Sequence, residues 1–340
     1  MKKVRFGKTG LMVSWVAFGG IPVMRVSKAE AVTLIREVIS LGVNFIDTAH
    51  VYADSEEKIG EAIKGMKREE LVIATKSQAT DKKTFNEHLD LSLKRLGVDY
   101  IDIYQIHNIA SQKQSDLVFA PEGSFEGLQE AVRAGKVRFP AFSSHNIPTA
   151  IKLMKSGKFD AVQIPFNYID NEAEKEIIPL AKELDMGFIA MKPMGGGLLS
   201  DAGLSFRYLM QYGSIVPDPG IEKIEELREI VGIVEKAEPL SALDQKEIER
   251  QRVEFGPTWC HRCDYCKPCP QDIPISMVLS AKSMVKRFSP ERAHSMVGAN
   301  IDKARNCTQC GDCVTRCPYD LDIPKFMKEN VEYWDSLNKN

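Results

Sequence analysis

The sequence predicts a parallel (β/α)8 barrel of the TIM type, followed by a small and separate cysteine-rich domain. Two observations carry this. Between Val13 and Pro217, eight short apolar runs rich in Val, Ile and Phe alternate with longer segments of helical period. All eight cysteines lie between Cys260 and Cys317, so the first three quarters of the chain hold none.

Taken in order, Val4–Phe6 and the Gly-Lys-Thr-Gly turn at 7–10 predict a small hairpin ahead of the barrel, placed to close its N-terminal end. The expected strands are Val13–Gly20, Asn44–Ala49, Leu71–Lys76, Tyr100–His107, Val137–His145, Ala161–Asn167, Gly187–Pro193 and Ser214–Pro217. Amphipathic segments at Lys28–Ser40, Glu56–Lys64, Thr84–Leu96 and Glu174–Leu184 space their apolar residues by three and four, as helices do. Gly42, Gly97, Gly135, Gly157 and Gly187 fall where helices should stop. Eight such pairs suit a closed barrel, typically of about 250 residues, better than a doubly wound sheet. No G-x-G-x-x-G opens any helix; the one comparable run, Gly195, Gly196 and Gly197, follows the seventh strand, where barrels bind phosphate and a nucleotide could sit.

A length of 340 residues fits one large and one small domain. The expected division is 1–236 for the barrel, 237–256 for a linker and 257–340 for the cysteine domain and tail. A net charge of −2 offers no field for nucleic acid or an anionic membrane, so neither is expected as a partner. The apolar run Leu11–Gly20 behind the basic start is too short and too broken by glycine to span a membrane or act as a signal. The reading is a cytoplasmic protein.

In a barrel of this kind chemistry gathers at the C-terminal ends of the strands. Strand two ends at Asp47, with Tyr52 on the loop beyond; strand three ends at Lys76 and strand four at His107. A tyrosine hydroxyl is a poor acid at neutral pH, and a nearby ammonium is expected to lower its pKa. Lys76 can be that ammonium, Asp47 the partner that holds it, and His107 the donor that orients a carbonyl beside Tyr52. Singly, such an Asp is commonly a helix cap, a Lys a solvated charge and a His a satisfied surface or core residue. Polar residues ending three successive apolar strands are harder to explain structurally, because only the catalytic face of a barrel gathers them.

With D-T-A-x-x-Y around Asp47 and Tyr52, the lysine ending strand three and the Q-x-H ending strand four, the chain resembles the aldo-keto reductase family over about Met1 to Lys236. The resemblance implies that Tyr52 is the general acid and base, that Lys76 and Asp47 tune it, and that His107 orients the carbonyl of a small carbonyl or alcohol substrate. It also implies a nicotinamide cofactor, usually the phosphorylated form, bound without a Rossmann fold. FSSHN matches the family's Ser-Asn pair, which implies that Ser143 and Ser144 bind the carboxamide; Gln163, in AVQIPFN, matches the family's glutamine on strand six. The bland reading of the two serines is a strand end capped by hydroxyls.

The chain also departs from the family. Met191 stands where many members stack an aromatic ring on the nicotinamide, and Gly195 and Gly196 follow it. After strand eight the sequence VPDPGIEKIEEL lacks the Lys-Ser that grips a 2′-phosphate in many relatives. It presents Asp218 there, which is expected to repel a phosphate unless Lys223 or Arg228 compensates. NADP and NAD both stay open.

The run Cys307-x-x-Cys310-x-x-Cys313-x-x-x-Cys317-Pro has the bacterial ferredoxin spacing, in which three thiolates bind one 4Fe-4S cluster and the fourth reaches another. The run Cys260-x-x-Cys263-x-x-Cys266-x-x-Cys269-Pro departs by one residue in its last gap. Ile273-Pro274 and Ile323-Pro324 recur at matching offsets, and a helical stretch at about Ser276–Phe288 separates the runs. This repetition supports two clusters with crossed ligation: Cys260, Cys263 and Cys266 with Cys317, and Cys307, Cys310 and Cys313 with Cys269. Structural zinc is the alternative, but zinc needs only cysteine pairs, and each run here continues to four. His261, among these thiolates, is read as lying outside the ligand set.

The leading expectation is an enzyme that exchanges hydride between a nicotinamide and a carbonyl or alcohol, with the clusters as an electron route or a redox-sensitive structural element. The contrasting one is a non-catalytic redox or oxygen sensor on the same scaffold, which the intact quartet argues against. Coupling a two-electron hydride to a one-electron cluster needs a mediator such as a flavin, on this chain or on a redox partner protein. No flavin motif is present in the sequence.

Overall fold

The computed structural model describes residues 1–255, 258–262, 265–287, 290–317 and 319–337. Cys263 and the proline after Cys317 lie outside the described residues. The chain divides into two compact units, Met1–Asp244 and Gln245–Asn340.

The first unit opens with a hairpin, β1 (Lys3–Arg5) antiparallel to β2 (Met12–Ser14), around a 3-10 turn at Gly7–Thr9. Eight parallel strands follow: β3 (Phe18–Gly19), β4 (Phe45–Asp47), β5 (Val72–Ser77), β6 (Ile101–Ile106), β7 (Val137–Ser143), β8 (Ala161–Pro165), β9 (Gly187–Met191) and β10 (Ile215–Asp218). They are hydrogen-bonded in chain order from β3 to β10. Ala17 N–H donates to the Pro217 carbonyl (2.8 Å) and Gly19 N–H to the Pro219 carbonyl (2.9 Å), which closes the sheet on itself. The expected strand Val13–Gly20 is therefore two elements, because residues 12–14 pair back on the hairpin and only Phe18–Gly19 enters the barrel.

Helices α1 (Lys28–Ser40), α2 (Ser55–Ile63), α3 (Lys82–Leu96), α4 (Gln112–Phe119), α5 (Ser124–Arg133), α6 (Ile147–Lys155), α7 (Ile177–Glu183), α8 (Ala202–Leu209) and α9 (Ile224–Lys236) alternate with the strands. Local chemistry explains their ends. Ser27 and Glu30 form a reciprocal capping box at the start of α1, whose Ala31, Leu34, Ile35 and Val38 are buried. Asp81 accepts from Thr84 N–H (2.9 Å) to start α3, and Gly97, at φ +65°, ends it.

The barrel floor is an apolar layer that includes Phe45, Ala74, Ile103, Ala141, Ala161, Ile189 and Val216, plugged from below by Phe6 of the hairpin. The Phe6 ring lies where a Cβ on residue 187 would have to go, so Gly187 is the residue that fits. Truncating Phe6, 1% exposed, would cost about 3–5 kcal/mol through the cavity it leaves.

The helix α10 (Ala242–Phe255) occupies most of the segment expected as a linker, and the division between units falls in its first turn. The second unit then holds α11 (Ile275–Leu279), α12 (Ala281–Arg287), α13 (Pro290–Ala304), α14 (Asp312–Thr315) and α15 (Ile323–Leu337). Helices α11 and α12 cover the helical stretch expected from the sequence, whose end, Phe288, lies outside the described residues; α13 was not expected. Its core packs Ile275, Val278, Val297, Ile301, Met327 and Trp334 with Cys266 and Cys313. Among the described residues, no helix is long and apolar enough to cross a membrane.

Candidate active site

The two-residue period of a strand builds the site. Residues two positions beyond the apolar floor point inward again, one layer nearer the C-terminal mouth. Beyond Phe45 stands Asp47, beyond Ala74 Lys76, beyond Ile103 Gln105, beyond Ala141 Ser143, beyond Ala161 Gln163, beyond Ile189 Met191 and beyond Val216 Asp218. A polar ring thus lies directly on an apolar layer.

At its centre Lys76 Nζ donates to Asp47 Oδ2 (2.5 Å) and to the Thr48 carbonyl (2.6 Å), with both side chains almost fully buried. Lys76 Nζ lies 5.4 Å from the centre of the Tyr52 ring. The His107 ring meets Tyr52 edge-on, at 6.0 Å between centroids and 82° between planes. The structure brings Asp47, Tyr52, Lys76 and His107 into one cluster. The amides of Gln105 and Gln163 each donate to an Asp47 oxygen at 3.4 Å, and Gln163 donates at 3.1 Å to Asp218 Oδ2.

Burial dominates the electrostatics. It pushes the Tyr52 hydroxyl up to about 12; Lys76 pulls it down as its charge requires, while Asp47 and Asp218 oppose that pull. The expectation of a lowered tyrosine pKa is thus reversed in net, because desolvation outweighs the ammonium. Burial favours the neutral form of Lys76, but Asp47, Tyr52 and Asp218 together outweigh it and hold the ammonium above its ordinary pKa. Burial, helped by the Lys76 charge, lowers His107 to about 3, so its imidazole is neutral and keeps one N–H to donate.

The residues assigned to cofactor binding divide by geometry. Ser143, inward-facing, accepts from Asn108 N–H (2.9 Å) and keeps its own proton for donation. Ser144 faces the other way. Its hydroxyl donates to the Ile109 carbonyl (2.7 Å) and accepts from Asn146 N–H (3.0 Å), the strand-end capping role. Gln163 Oε1 and Gln105 Oε1 are buried without a hydrogen-bond partner. Met191 ends β9, and Gly195, Gly196 and Gly197 beyond it all have positive φ (57°, 62° and 88°). Asp218 corrects the sequence reading. It does not face a phosphate site on the loop but is buried inside the barrel against Gln163. Arg228 pairs with Glu37 and Glu225.

In the second unit a single pocket is lined by Cys269, Cys307, Cys310 and Cys313, with Ile273, Ile275 and Met327 around them. Among the described residues no three His, Cys, Asp or Glu side chains stand in a metal-holding arrangement; four thiols lining one apolar pocket are the chemistry a soft, thiolate-bound centre uses. Of the other proposed set, Cys266 is buried and Cys260 and Cys317 are partly buried, while Cys263 lies outside the described residues. Arg316, next to Cys317, donates to the Cys266 and Pro268 carbonyls (3.3 and 2.5 Å) and so ties the two cysteine runs together. His261 stacks on Tyr319 at 3.5 Å.

A model of the aldo/keto reductase family matches residues 14–206, more than half of the chain. The chain belongs to that family. A 4Fe-4S dicluster domain model matches residues 259–322 of this aldo/keto reductase. Among curated relatives, a probable aldo-keto reductase 1 of Glycine max is 27% identical over 222 residues, 60% of this chain and 62% of that protein. An L-galactose dehydrogenase of Arabidopsis thaliana is 29% identical over 216 residues, 58% and 66% of the two chains. The match thus spans less than two thirds of the length of both. The aldo-keto reductase AKR11C1 of Bacillus halodurans, holo form, superposes with a TM-score of 0.64 at 24% identity over 74% of this chain and 96% of its own. An aldo-keto reductase of Klebsiella pneumoniae in complex with NADPH does so at 0.64 and 21% identity, over 74% and 95%. These likenesses establish the barrel fold of an aldo/keto reductase.

Sequence reasoning missed two members of the polar ring, Gln105 as a support of Asp47 and Asp218 as an interior residue. The signal was present, since each follows an inward apolar residue by two positions.

Proposed function

We propose that the barrel reduces a small aldehyde or ketone, and in reverse oxidises the alcohol, with Tyr52 moving the proton. The observation that carries this reading is the buried Lys76–Asp47 pair beneath Tyr52 with His107 at the ring's edge. A nicotinamide bound at the mouth supplies the hydride. Tyr52, protonated at neutral pH, donates its hydroxyl proton to the carbonyl oxygen as that oxygen gains charge. Neutral His107 donates an N–H to the same oxygen and fixes the carbonyl's direction. Lys76, locked by Asp47 and the Thr48 carbonyl, stabilises the tyrosinate left behind. Tyr52 then recovers its proton from solvent.

For the cofactor, the unpartnered Gln163 Oε1 fits a carboxamide N–H, and the Ser143 hydroxyl can donate to the carboxamide oxygen. Ser144 supports this by holding the turn. Met191 borders the ring site, and the left-handed Gly195 and Gly196 let backbone approach the phosphates closely. NADP, which the Klebsiella protein carries, is the first cofactor to test. NAD follows, because Glu222 on the loop after β10 and Glu225 and Glu226 in the first turn of α9 surround Lys223, and Arg228 already pairs with Glu37 and Glu225, where a 2′-phosphate would need cations.

Two 4Fe-4S clusters, held by Cys260, Cys263 and Cys266 with Cys317 and by Cys307, Cys310 and Cys313 with Cys269, would supply one-electron transfer or a redox-linked fold. Residues 1–236 form the catalytic part and 257–340 the cluster part of a cytoplasmic protein, with a flavin or a redox partner protein as mediator if the two are coupled.

The test is oxidation of NADPH and NADH by the full chain with a panel of aldehydes and ketones. Turnover with at least one carbonyl supports the enzyme. No turnover with any, in protein shown to bind the nucleotide, favours the sensor reading.

A further inference from the structure

The polar ring contains one carboxyl group that the proposed chemistry does not use. Asp218, last residue of β10, is 8% exposed and lies beside the Asp47–Lys76 pair, with only Gly19 of β3 between β10 and β4. Gln163 Nε2 reaches both carboxyls, at 3.1 Å to Asp218 Oδ2 and 3.4 Å to Asp47 Oδ2. Asp218 Oδ1 is buried with no hydrogen-bond partner, and a Cβ at residue 19 would come within 3.0 Å of it.

The charges decide the protonation. Two carboxyls and one ammonium share a dry interior, and only Asp47 has a direct ion pair with the ammonium. With both carboxyls ionised the group would carry an uncompensated negative charge, which a buried site disfavours strongly. The titratable groups facing Asp218 are Asp47 from β4, Tyr52 from the loop after β4 and Lys76 from β5; His107, after β6, reaches it only through Lys76. From β3 and β9 the neighbours at this level, Gly19 and Met191, carry no charge.

We propose that Asp218 is a positioning residue, a neutral carboxylic acid that hydrogen-bonds Asp47 and keeps the Asp47–Lys76–Tyr52 group at zero net charge. Desolvation first, and then Asp47, hold its proton on to well above the ordinary carboxylate range. Asp218 thereby acts on Tyr52 through Asp47 and Lys76. When it ionises as pH rises, the added negative charge makes Tyr52 a weaker acid, since Asp218 is among the groups that raise the tyrosine. The effect on turnover rests on the role proposed for Tyr52; the protonation state does not.

Infrared difference spectra of the full chain in H2O and D2O read that state directly. At neutral pH the protein should show the carbonyl stretch of a protonated carboxylic acid, shifted on deuteration and absent in Asp218→Asn. Gln163→Met, which removes the amide bonded to Asp218, should move the band and keeps the test open if Asp218→Asn does not fold. As pH rises the band should vanish, and carbonyl reduction should fall about three- to tenfold over the same range, a fall that Asp218→Asn loses. A folded wild type without the band, or a band kept at full intensity in Asp218→Asn, overturns the proposal. A band that titrates with no change in turnover would leave Asp218 neutral but refute its action on Tyr52.

Discussion

Replacing Lys76 by Met separates the chemical role of the ammonium from its structural one. At 5.4 Å from the Tyr52 ring, a unit charge stabilises a tyrosinate by about 3 kcal/mol at an effective dielectric constant near 20, or roughly a hundredfold in rate. The substitution also leaves Asp47 buried without its cation, a loss that costs about 3–5 kcal/mol of stability where the partner stays charged. Lys76→Met with Asp47→Asn removes both charges and should restore most of the stability without restoring the rate. Single-turnover hydride transfer reports the chemistry, nucleotide fluorescence titration the binding, and urea unfolding the stability. The expected result is a loss of about a hundredfold in transfer with nucleotide affinity changed less than about threefold. Transfer reduced no more than affinity would place Lys76 among the binding residues and refute the tuning argument.

Anaerobically purified protein should contain about eight iron and eight labile sulfide per chain, and Cys310→Ser should lose one cluster. Zinc without sulfide would contradict the cluster assignment, and about four iron would leave one cysteine set without a cluster. His107 should make the barrel acid-sensitive: its folded pKa of about 3 lies below the unfolded value near 6.5, so only the unfolded state gains a proton between them. Its stabilisation is full above pH 6.5 and falls by up to about 1.4 kcal/mol per unit as pH drops toward 3. Urea unfolding at pH 7 and pH 5 should therefore show a larger loss for the wild type than for His107→Gln, and equal losses would remove His107 as the cause.

The barrel was legible because its strands are short apolar runs and its helices carry clear caps; Lys28–Ser40 is a helix with the very bounds its periodicity gives. The first strand was not, because Val13–Gly20 reads as one mostly apolar run although its first two residues belong to the hairpin and only Phe18–Gly19 enters the barrel. In the site, Asp47, Lys76 and His107 stood out as polar ends of apolar strands. Asp218 did not, since the expected strand stopped at Pro217 and the residues after it read as loop, whereas the register with Met191 carries the strand one residue further. The sign of the Tyr52 shift was beyond the sequence altogether. It depends on how much burial the packing imposes and on a second carboxyl, remote in sequence, that barrel closure brings beside the first.

The most direct test of the central claim follows the hydride itself. Protein incubated with NADPH carrying deuterium at both hydrogen positions of the reactive carbon of the nicotinamide, and with a carbonyl substrate found by the panel, should yield an alcohol with one deuterium on the former carbonyl carbon. Tyr52→Phe should bind the nucleotide normally yet form this product at least about a hundred times more slowly. An alcohol without deuterium, or a Tyr52→Phe protein as fast as the wild type, would contradict the account.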